Sequence, residues 1–222
     1  MYTLWYHSSC PLSRQLKSVL DHLLVEYHII RLDYWRPHNQ LFDLSPFGTV
    51  PLLKTKSIGV IDGMYAIIEY LVATYPNSHL FPKVIASLCE MRRLLSVINE
   101  KFYLQVSRCI LREKFIRLMT GEGSPRGEYL RSASARQGEY LDYFSLMIKE
   151  RNFLVYDKIS VSDIAFAGHV SILDYFGMID WYKYPYLRSW YQIIKSLPHF
   201  RCILEEKIGS FIPPDYYAEL DF

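Results

Sequence analysis

The chain has 222 residues, of which 50% are apolar and 22% are charged, and its formal net charge is +2 at pH 7. This composition predicts a folded globular protein and excludes a disordered chain, while the small net charge argues against nucleic acid or an anionic membrane surface as the main partner. The N-terminal MYTLWYHSSCP lacks the regions of a signal peptide, and no apolar run approaches the ~20 residues of a membrane-spanning helix, so no membrane insertion is expected.

The four cysteines, Cys10, Cys89, Cys109 and Cys202, are scattered along the chain without a CxxC pair. Their spacing matches neither a zinc site nor a disulfide framework, so no metal is expected. Reduced, unpaired thiols are typical of the cytosol. We therefore expect a cytoplasmic protein.

The first part of the chain, residues 1–76, has the pattern of a small α/β unit. After a strand at 3–7, Pro11 is placed as the first residue of a helix, where its missing N–H group costs nothing. Further strands are predicted at 27–32, 50–54 and 58–61, and a second helix at 65–75. The order β-α-β, loop, β-β, α predicts helices packed on a mixed sheet.

Beyond Pro76 the pattern becomes all-helical. Apolar residues recur at helical intervals through 83–119, and GEGSPRGE at 121–128 ends this helix. Further helices are predicted at 129–150, 161–176 and 186–197. We therefore expect a second domain at 83–222, with a tail at 212–222 and a domain boundary near 76–83.

Cys10 stands at the predicted start of the first helix. Unpaired N–H groups and the helix dipole stabilise a thiolate at such a position, which predicts a lowered pKa for the Cys10 thiol. Ser13 takes the place of the second cysteine of a CxxC pair, so the motif can form a mixed disulfide but not an internal one. The alternative is that Cys10 is an unreactive, partly buried small residue.

Ser160-Val161-Ser162-Asp163 has the pattern of a helix capping box. Ser160 is expected to cap the following helix while Asp163 reaches back to the Ser160 backbone. This is a folding element and carries no catalytic information. We interpret His169, on the same helix, as a core histidine and not as a general base.

A basic segment lies within the predicted helix 83–119, which holds eight basic and three acidic residues. Arg108 and Arg112 share a face of this helix, with Lys114 and Arg117 nearby. Such a face is either ordinary solvated surface or a docking site for an acidic partner.

Three stretches of the sequence together resemble the glutathione S-transferase superfamily: SSCPLSR at 8–14, SPFGTVPLL at 45–53 and MYAIIEYL at 64–71. The resemblance covers essentially the whole chain. It implies the GST fold, an α/β thioredoxin-like N-terminal domain followed by an all-α C-terminal domain, and a homodimer. It also implies a cis peptide bond before Pro51, with the main chain of Val50 available to glutathione.

The resemblance further implies that a residue near the end of the first strand binds the sulfur of glutathione. Cys10 and Ser9 are the catalytic candidates, and Ser8 and Tyr6 are further possibilities for the same position.

Active members of the superfamily hold the γ-glutamyl group with a Glu-Ser pair, where this sequence has Gly63 and Met64. Gly63 offers no carboxylate and Met64 offers no hydroxyl, whereas Asp62 is adjacent but in a shifted register. Each missing hydrogen bond costs ~1–3 kcal/mol when its partner is buried. Two such losses weaken binding by one to several orders of magnitude, so we expect weak or absent glutathione binding.

The C-terminal stretches HVSILDYFGMIDW at 169–181 and IPPDYYAELDF at 212–222 are similar to one branch, the GST-like division proteins of alphaproteobacteria that bind the filament protein FtsZ. Pro213 and Pro214 prevent a helix and extend the tail. The aromatic and acidic residues that follow, including Tyr217 and Phe222, can either pack on their own domain or dock on a partner.

These features lead to one favoured function and two alternatives. The favoured one is a non-catalytic, protein-binding role in cell division, with partner contacts at Arg108, Arg112, Tyr217 and Phe222. The first alternative is an active glutathione S-transferase or Cys-type thiol transferase that conjugates glutathione to electrophiles. In that case glutathione would contact Val50, Pro51, Gly63 and Met64. The second alternative is an interaction domain with neither glutathione chemistry nor an assigned partner.

Overall fold

The structure is a computed structural model that describes residues 1–36 and 39–221. One mixed sheet has the strand order β2-β1-β3-β4, with β1 at Tyr2–Tyr6, β2 at Tyr27–Arg31, β3 at Leu52–Thr55 and β4 at Gly59–Asp62. The pair β1–β2 is parallel, whereas β1–β3 and β3–β4 are antiparallel. The predicted mixed sheet is therefore confirmed, with strand ends displaced by one or two residues.

The first three helices accompany this sheet: α1 at Pro11–His22, α2 at Asn39–Leu44 and α3 at Met64–Thr74. The rest of the described chain is helical, with α4 at 85–119, α5 at Gly127–Arg151, α6 at Val161–Tyr175, α7 at Pro185–Ser196 and α8 at Pro198–Leu204. Helix α4 is continuous and contains π-helical stretches at Val97–Ser107 and Arg112–Ile116. The GST fold that the resemblance implied is thus confirmed, while the domain boundary near 76–83 stays a prediction.

Helices α2 and α8 were not predicted. Both are short, so neither shows a full hydrophobic period. Helix α8 begins at Pro198, immediately after α7, because proline is tolerated at the first position of a new helix.

Helix α1 packs closely on α6, and this contact joins the sheet to the helical part of the molecule. A Cβ atom on Gly168 would lie 2.9 Å from the carbonyl oxygen of Pro11 and 3.3 Å from the backbone nitrogen of Gln15. Real Cβ atoms do not approach backbone atoms to 2.9 Å, so the two helices can lie at this separation only with glycine at 168. The start of α1, where Cys10 lies, is thereby fixed.

The capping box at the start of α6 is confirmed. The Asp163 carboxylate accepts hydrogen bonds from the N–H groups of Ser160 and Leu154, both at 2.9 Å, and from Nε1 of Trp190 at 3.0 Å. The Oγ atom of Ser160 accepts from the N–H group of Ser162 at 3.3 Å. Burial nevertheless raises the pKa of Asp163.

His169 is a core histidine, as predicted. Its side chain is fully buried, and its Nδ1 atom lies 2.8 Å from Oγ of Ser107 on α4. Burial lowers the pKa of His169 to about 3, so the ring is neutral in the folded protein at neutral pH.

Two kinds of feature are missing from the described part of the chain. No helix there is both long enough and apolar enough to cross a membrane. Among the same residues, no group of three or more His, Cys, Asp or Glu side chains could hold a metal ion.

We expect His169 to make the protein sensitive to acid. Its pKa is about 3 in the folded state and 6.5 when exposed, so between these values the unfolded state binds a proton that the folded state does not. Stability is therefore lost as the pH falls below 6.5, by about 2 kcal/mol between pH 7 and pH 5. Urea unfolding at pH 7 and pH 5 measures this loss in both proteins. Between these pH values the free energy of unfolding should fall by about 2 kcal/mol less in His169→Gln than in the unmodified protein. An equal loss in both proteins would contradict this origin.

Candidate functional site

The start of α1 borders a cavity of about 380 Å³. Three parts of the chain line it: the α1 start, the loops flanking α2, and α4. The lining residues are Cys10, Tyr34, Trp35, Gly48, Thr49, Val50, Tyr103, Arg108, Leu111, Arg112 and Ile116. The structure therefore brings the predicted sulfur-binding residue, the predicted glutathione-contacting residue and two predicted partner-contacting arginines to one cavity.

Cys10 is the N-cap residue of α1, but its side chain is only 3% exposed. Its Sγ atom donates to the carbonyl oxygen of Val50, 3.6 Å away. Burial raises the pKa of the Cys10 thiol, against smaller opposing effects of hydrogen bonds at Ser13 and Leu12. The prediction of a lowered pKa is therefore wrong, because desolvation outweighs stabilisation by the helix start.

The other candidates for sulfur binding are engaged elsewhere. Ser9 is fully buried and outside the cavity lining; its Oγ atom lies 2.8 Å from Nδ1 of His7. Ser8 Oγ donates to the carbonyl oxygen of Lys207 at 2.9 Å. The hydroxyl of Tyr6 donates to Glu206, and burial is the main cause of its raised pKa.

The implied cis peptide bond between Val50 and Pro51 is confirmed. The carbonyl oxygen of Val50 accepts the thiol of Cys10, and the Val50 residue as a whole is buried. The two positions that the superfamily uses for glutathione thus contact each other.

Gly63 and Met64 lie outside the cavity lining. Gly63 has a φ of +88°, a backbone conformation that favours glycine, so its identity follows from the turn into α3. The side chain of Met64 is buried in the hydrophobic core. The neighbouring Asp62 carboxylate accepts a hydrogen bond from Ser45. In this conformation none of the three presents a free polar side chain at the start of α3.

The two predicted partner-contacting arginines differ in their surroundings. Arg112 pairs with Glu122 at 2.6 Å, although its Nη1 atom is buried with no hydrogen-bond partner in the described part of the chain. Within residues 1–36 and 39–221, Arg108 makes no ion pair and its side chain is exposed. Among the described residues, the Nε1 atom of Trp35 is also buried without a hydrogen-bond partner. Because these groups are N–H donors on a partly aromatic wall, the cavity suits a ligand with acceptor atoms such as a carboxylate.

The contribution of Tyr34, Trp35 and Tyr103 to this cavity was not predicted from the sequence. Tyr34 and Trp35 belong to a loop without periodicity, so no pattern indicated their orientation. The one available signal was the concentration of aromatic residues just before α2.

The C-terminal tail packs against its own chain, contacting both the sheet domain and the helical domain. Tyr217 is 1% exposed, and its hydroxyl accepts a hydrogen bond from Arg14 at 2.8 Å. This placement corrects the expectation that Tyr217 is available to a partner, since its side chain fills the core. Phe222, the other predicted contact in the tail, lies outside the described residues.

We expect Cys10 to react slowly with alkylating reagents. Free cysteine has a pKa of about 8.5, whereas burial raises that of Cys10. At pH 7, iodoacetamide should modify Cys10 at least about tenfold more slowly than the exposed Cys89, as followed by peptide mass mapping. The midpoint of the pH profile of Cys10 modification should lie above the pKa of about 8.5 of free cysteine. A Cys10 profile with its midpoint below pH 8 would contradict the assignment.

Comparison with known proteins matches both halves of the chain to one family. Residues 9–74 match the glutathione S-transferase N-terminal domain, and residues 111–206 match the glutathione S-transferase C-terminal domain.

Individual relatives span the whole chain. FtsZ-localized protein A of Caulobacter vibrioides is 30% identical over 99% of this chain and 98% of that protein. The solved structure of FzlA from C. crescentus has a TM-score of 0.94 at 30% identity and covers 100% of this chain and 99% of that one. A glutathione S-transferase from Rhodospirillum rubrum has a TM-score of 0.94 at 32% identity over 100% of both chains. The chain therefore belongs to the glutathione S-transferase superfamily.

Proposed function

We propose that this chain is a non-catalytic, protein-binding member of the superfamily that associates with FtsZ in bacterial cell division. The observation that carries this proposal is the similarity to FtsZ-localized protein A, which includes the helical domain and the tail and leaves only 1–2% of either chain uncovered. Association with FtsZ places the chain in the cytoplasm.

The chemistry of the cavity supports a non-catalytic role. A Cys-type thiol transferase needs a reactive thiolate at Cys10, yet the Cys10 thiol donates to the carbonyl oxygen of Val50 and burial raises its pKa. The γ-glutamyl end also lacks side chains to bind, because Gly63 has none and Met64 is buried. Both ends of a glutathione molecule would therefore meet groups unsuited to hold it.

Arg108 is the residue we assign to contact with an acidic partner segment. It is exposed and lines the cavity, whereas Arg112 is already paired with Glu122. An exposed cation with no competing carboxylate can pair with a partner at little desolvation cost. Arg112 lines the same cavity as Arg108.

A homodimer is part of the same proposal. Tyr65 on α3 and Ile85 on α4 are large apolar side chains left exposed on neighbouring helices. Between these helices Arg92 pairs with Glu69 through two hydrogen bonds of 2.8 and 2.7 Å. A second copy of the chain would cover this apolar surface.

A glutathione-dependent transferase is the second candidate function. The cavity of about 380 Å³ beside Cys10 and Val50 favours it, because its volume can accept a small ligand. Under this alternative Cys10 or Ser9 would hold the sulfur, and Pro51, Gly63 and Met64 would offer main-chain contacts only.

We expect the purified chain to sediment with FtsZ filaments assembled with GTP and to stay in the supernatant without GTP. Arg108→Glu should weaken this association about tenfold, the effect of ~1.4 kcal/mol, because a favourable charge contact becomes repulsive. Arg136→Glu is the matched control, since Arg136 is an exposed arginine on α5 outside the cavity lining.

Absence of co-sedimentation at micromolar concentrations of the unmodified chain would refute FtsZ association. Equal weakening by Arg108→Glu and Arg136→Glu would instead refute the role of Arg108 alone.

A further inference from the structure

Arg14 connects the loop that carries Cys10 to the C-terminal tail. Its side chain is fully buried on α1. The Nε atom donates to the carbonyl oxygen of Ser8 at 2.6 Å, and Nη1 donates to the hydroxyl of Tyr217 at 2.8 Å and to Oγ of Ser171 at 3.0 Å. Among the described residues the Nη2 atom of Arg14 has no hydrogen-bond partner, so the stability of this buried guanidinium depends on the acceptors of Nε and Nη1. One of these acceptors belongs to the Cys10 loop and another to the tail.

The segment just before the tail holds the same loop at two further points. Ser8 Oγ donates to the carbonyl oxygen of Lys207, and the hydroxyl of Tyr6 donates to Glu206. The backbone N–H group of Arg14 also donates to the carbonyl oxygen of Cys10 at 3.0 Å. The position of Cys10 is therefore set by groups about 200 residues away in the sequence.

Two side chains of the helical domain hold the tail and the residue before it. Tyr175 on α6 donates to the carbonyl oxygen of Phe211, immediately before the tail, at 2.7 Å. Lys195 on α7 donates to the carbonyl oxygens of Tyr216 at 3.4 Å and Glu219 at 2.8 Å. These bonds are accepted by backbone carbonyl oxygens. The bond from Arg14 to Tyr217, in contrast, joins two side chains and connects the tail to the sheet domain.

We propose that the tail is a latch that keeps the Cys10 loop closed. In the latched state Tyr217 is seated, Arg14 holds Ser8, and the Cys10 thiol lies against Val50. Release of Tyr217 removes an acceptor from the buried Arg14, which loosens its hold on Ser8 and increases the exposure of the Cys10 thiol in the cavity that Cys10 already lines. Tail docking and ligand binding in the cavity are then coupled. The factor by which a bound ligand changes the equilibrium of tail docking equals the factor by which tail docking changes the affinity for that ligand.

This latch goes beyond the proposed FtsZ association and does not depend on it, since it is a property of the chain alone. Any protein that binds residues 212–221 and displaces Tyr217 would therefore change the exposure of Cys10 in the cavity.

The test compares alkylation of Cys10 by iodoacetamide in Tyr217→Phe, which removes only the hydroxyl, and in Tyr182→Phe. Tyr182 is 91% exposed and serves as the matched control. We expect Tyr217→Phe to accelerate modification of Cys10 about tenfold, the effect of one lost hydrogen bond to a buried charge. The rates of the exposed Cys89 and the partly buried Cys109 should not change. Equal Cys10 rates in the two variants, or a parallel acceleration of Cys109, would overturn the latch.

Hydrogen exchange of the unmodified protein provides a second test if Tyr217→Phe does not fold. The amides of Cys10 and Arg14 should open together with those of Tyr217 and Glu219, with the same opening free energy and the same dependence on urea. Independent opening of the loop and the tail would also overturn the proposal.

Discussion

The close contact between helices α1 and α6 is the constraint on which the rest of the molecule depends. Gly168 makes this contact possible, because a Cβ atom at position 168 would lie only 2.9 Å from the carbonyl oxygen of Pro11. This separation brings Ser171 within 3.0 Å of the guanidinium of Arg14, so a cation can be buried between the domains. The same contact fixes the start of α1, and with it the place of Cys10 beside the Val50–Pro51 turn.

Two opposing effects act on the Cys10 thiol, and their magnitudes decide its state. A helix N-terminus stabilises a negative charge by 0.3–1 kcal/mol, and by ~2 kcal/mol in favourable cases. Burial in an apolar environment disfavours the charged thiolate. It is the larger effect at Cys10, where it raises the pKa of the thiol. This outcome supports our proposal that the chain keeps the fold of a transferase while its function lies in protein binding.

The features that the sequence predicted correctly are set by local chemistry or by the periodicity of apolar residues. The strands, the long helices, the capping box at Ser160 and the buried His169 all follow from patterns within a few residues of each other. The cis bond before Pro51 came from the family resemblance. By contrast, the packing of Tyr217 against Arg14 joins residues 203 positions apart, and no local pattern encodes it. The cavity beside Arg108 was missed for the same reason, because its lining comes from three separated segments.

The most direct test of the central claim is a calorimetric titration of the reduced, purified protein with glutathione. We predict no saturable heat up to ~10 mM ligand, which corresponds to binding weaker than ~3 kcal/mol. Saturable binding at micromolar concentrations that disappears in Cys10→Ala would contradict the non-catalytic role and establish Cys10 as the glutathione-binding residue.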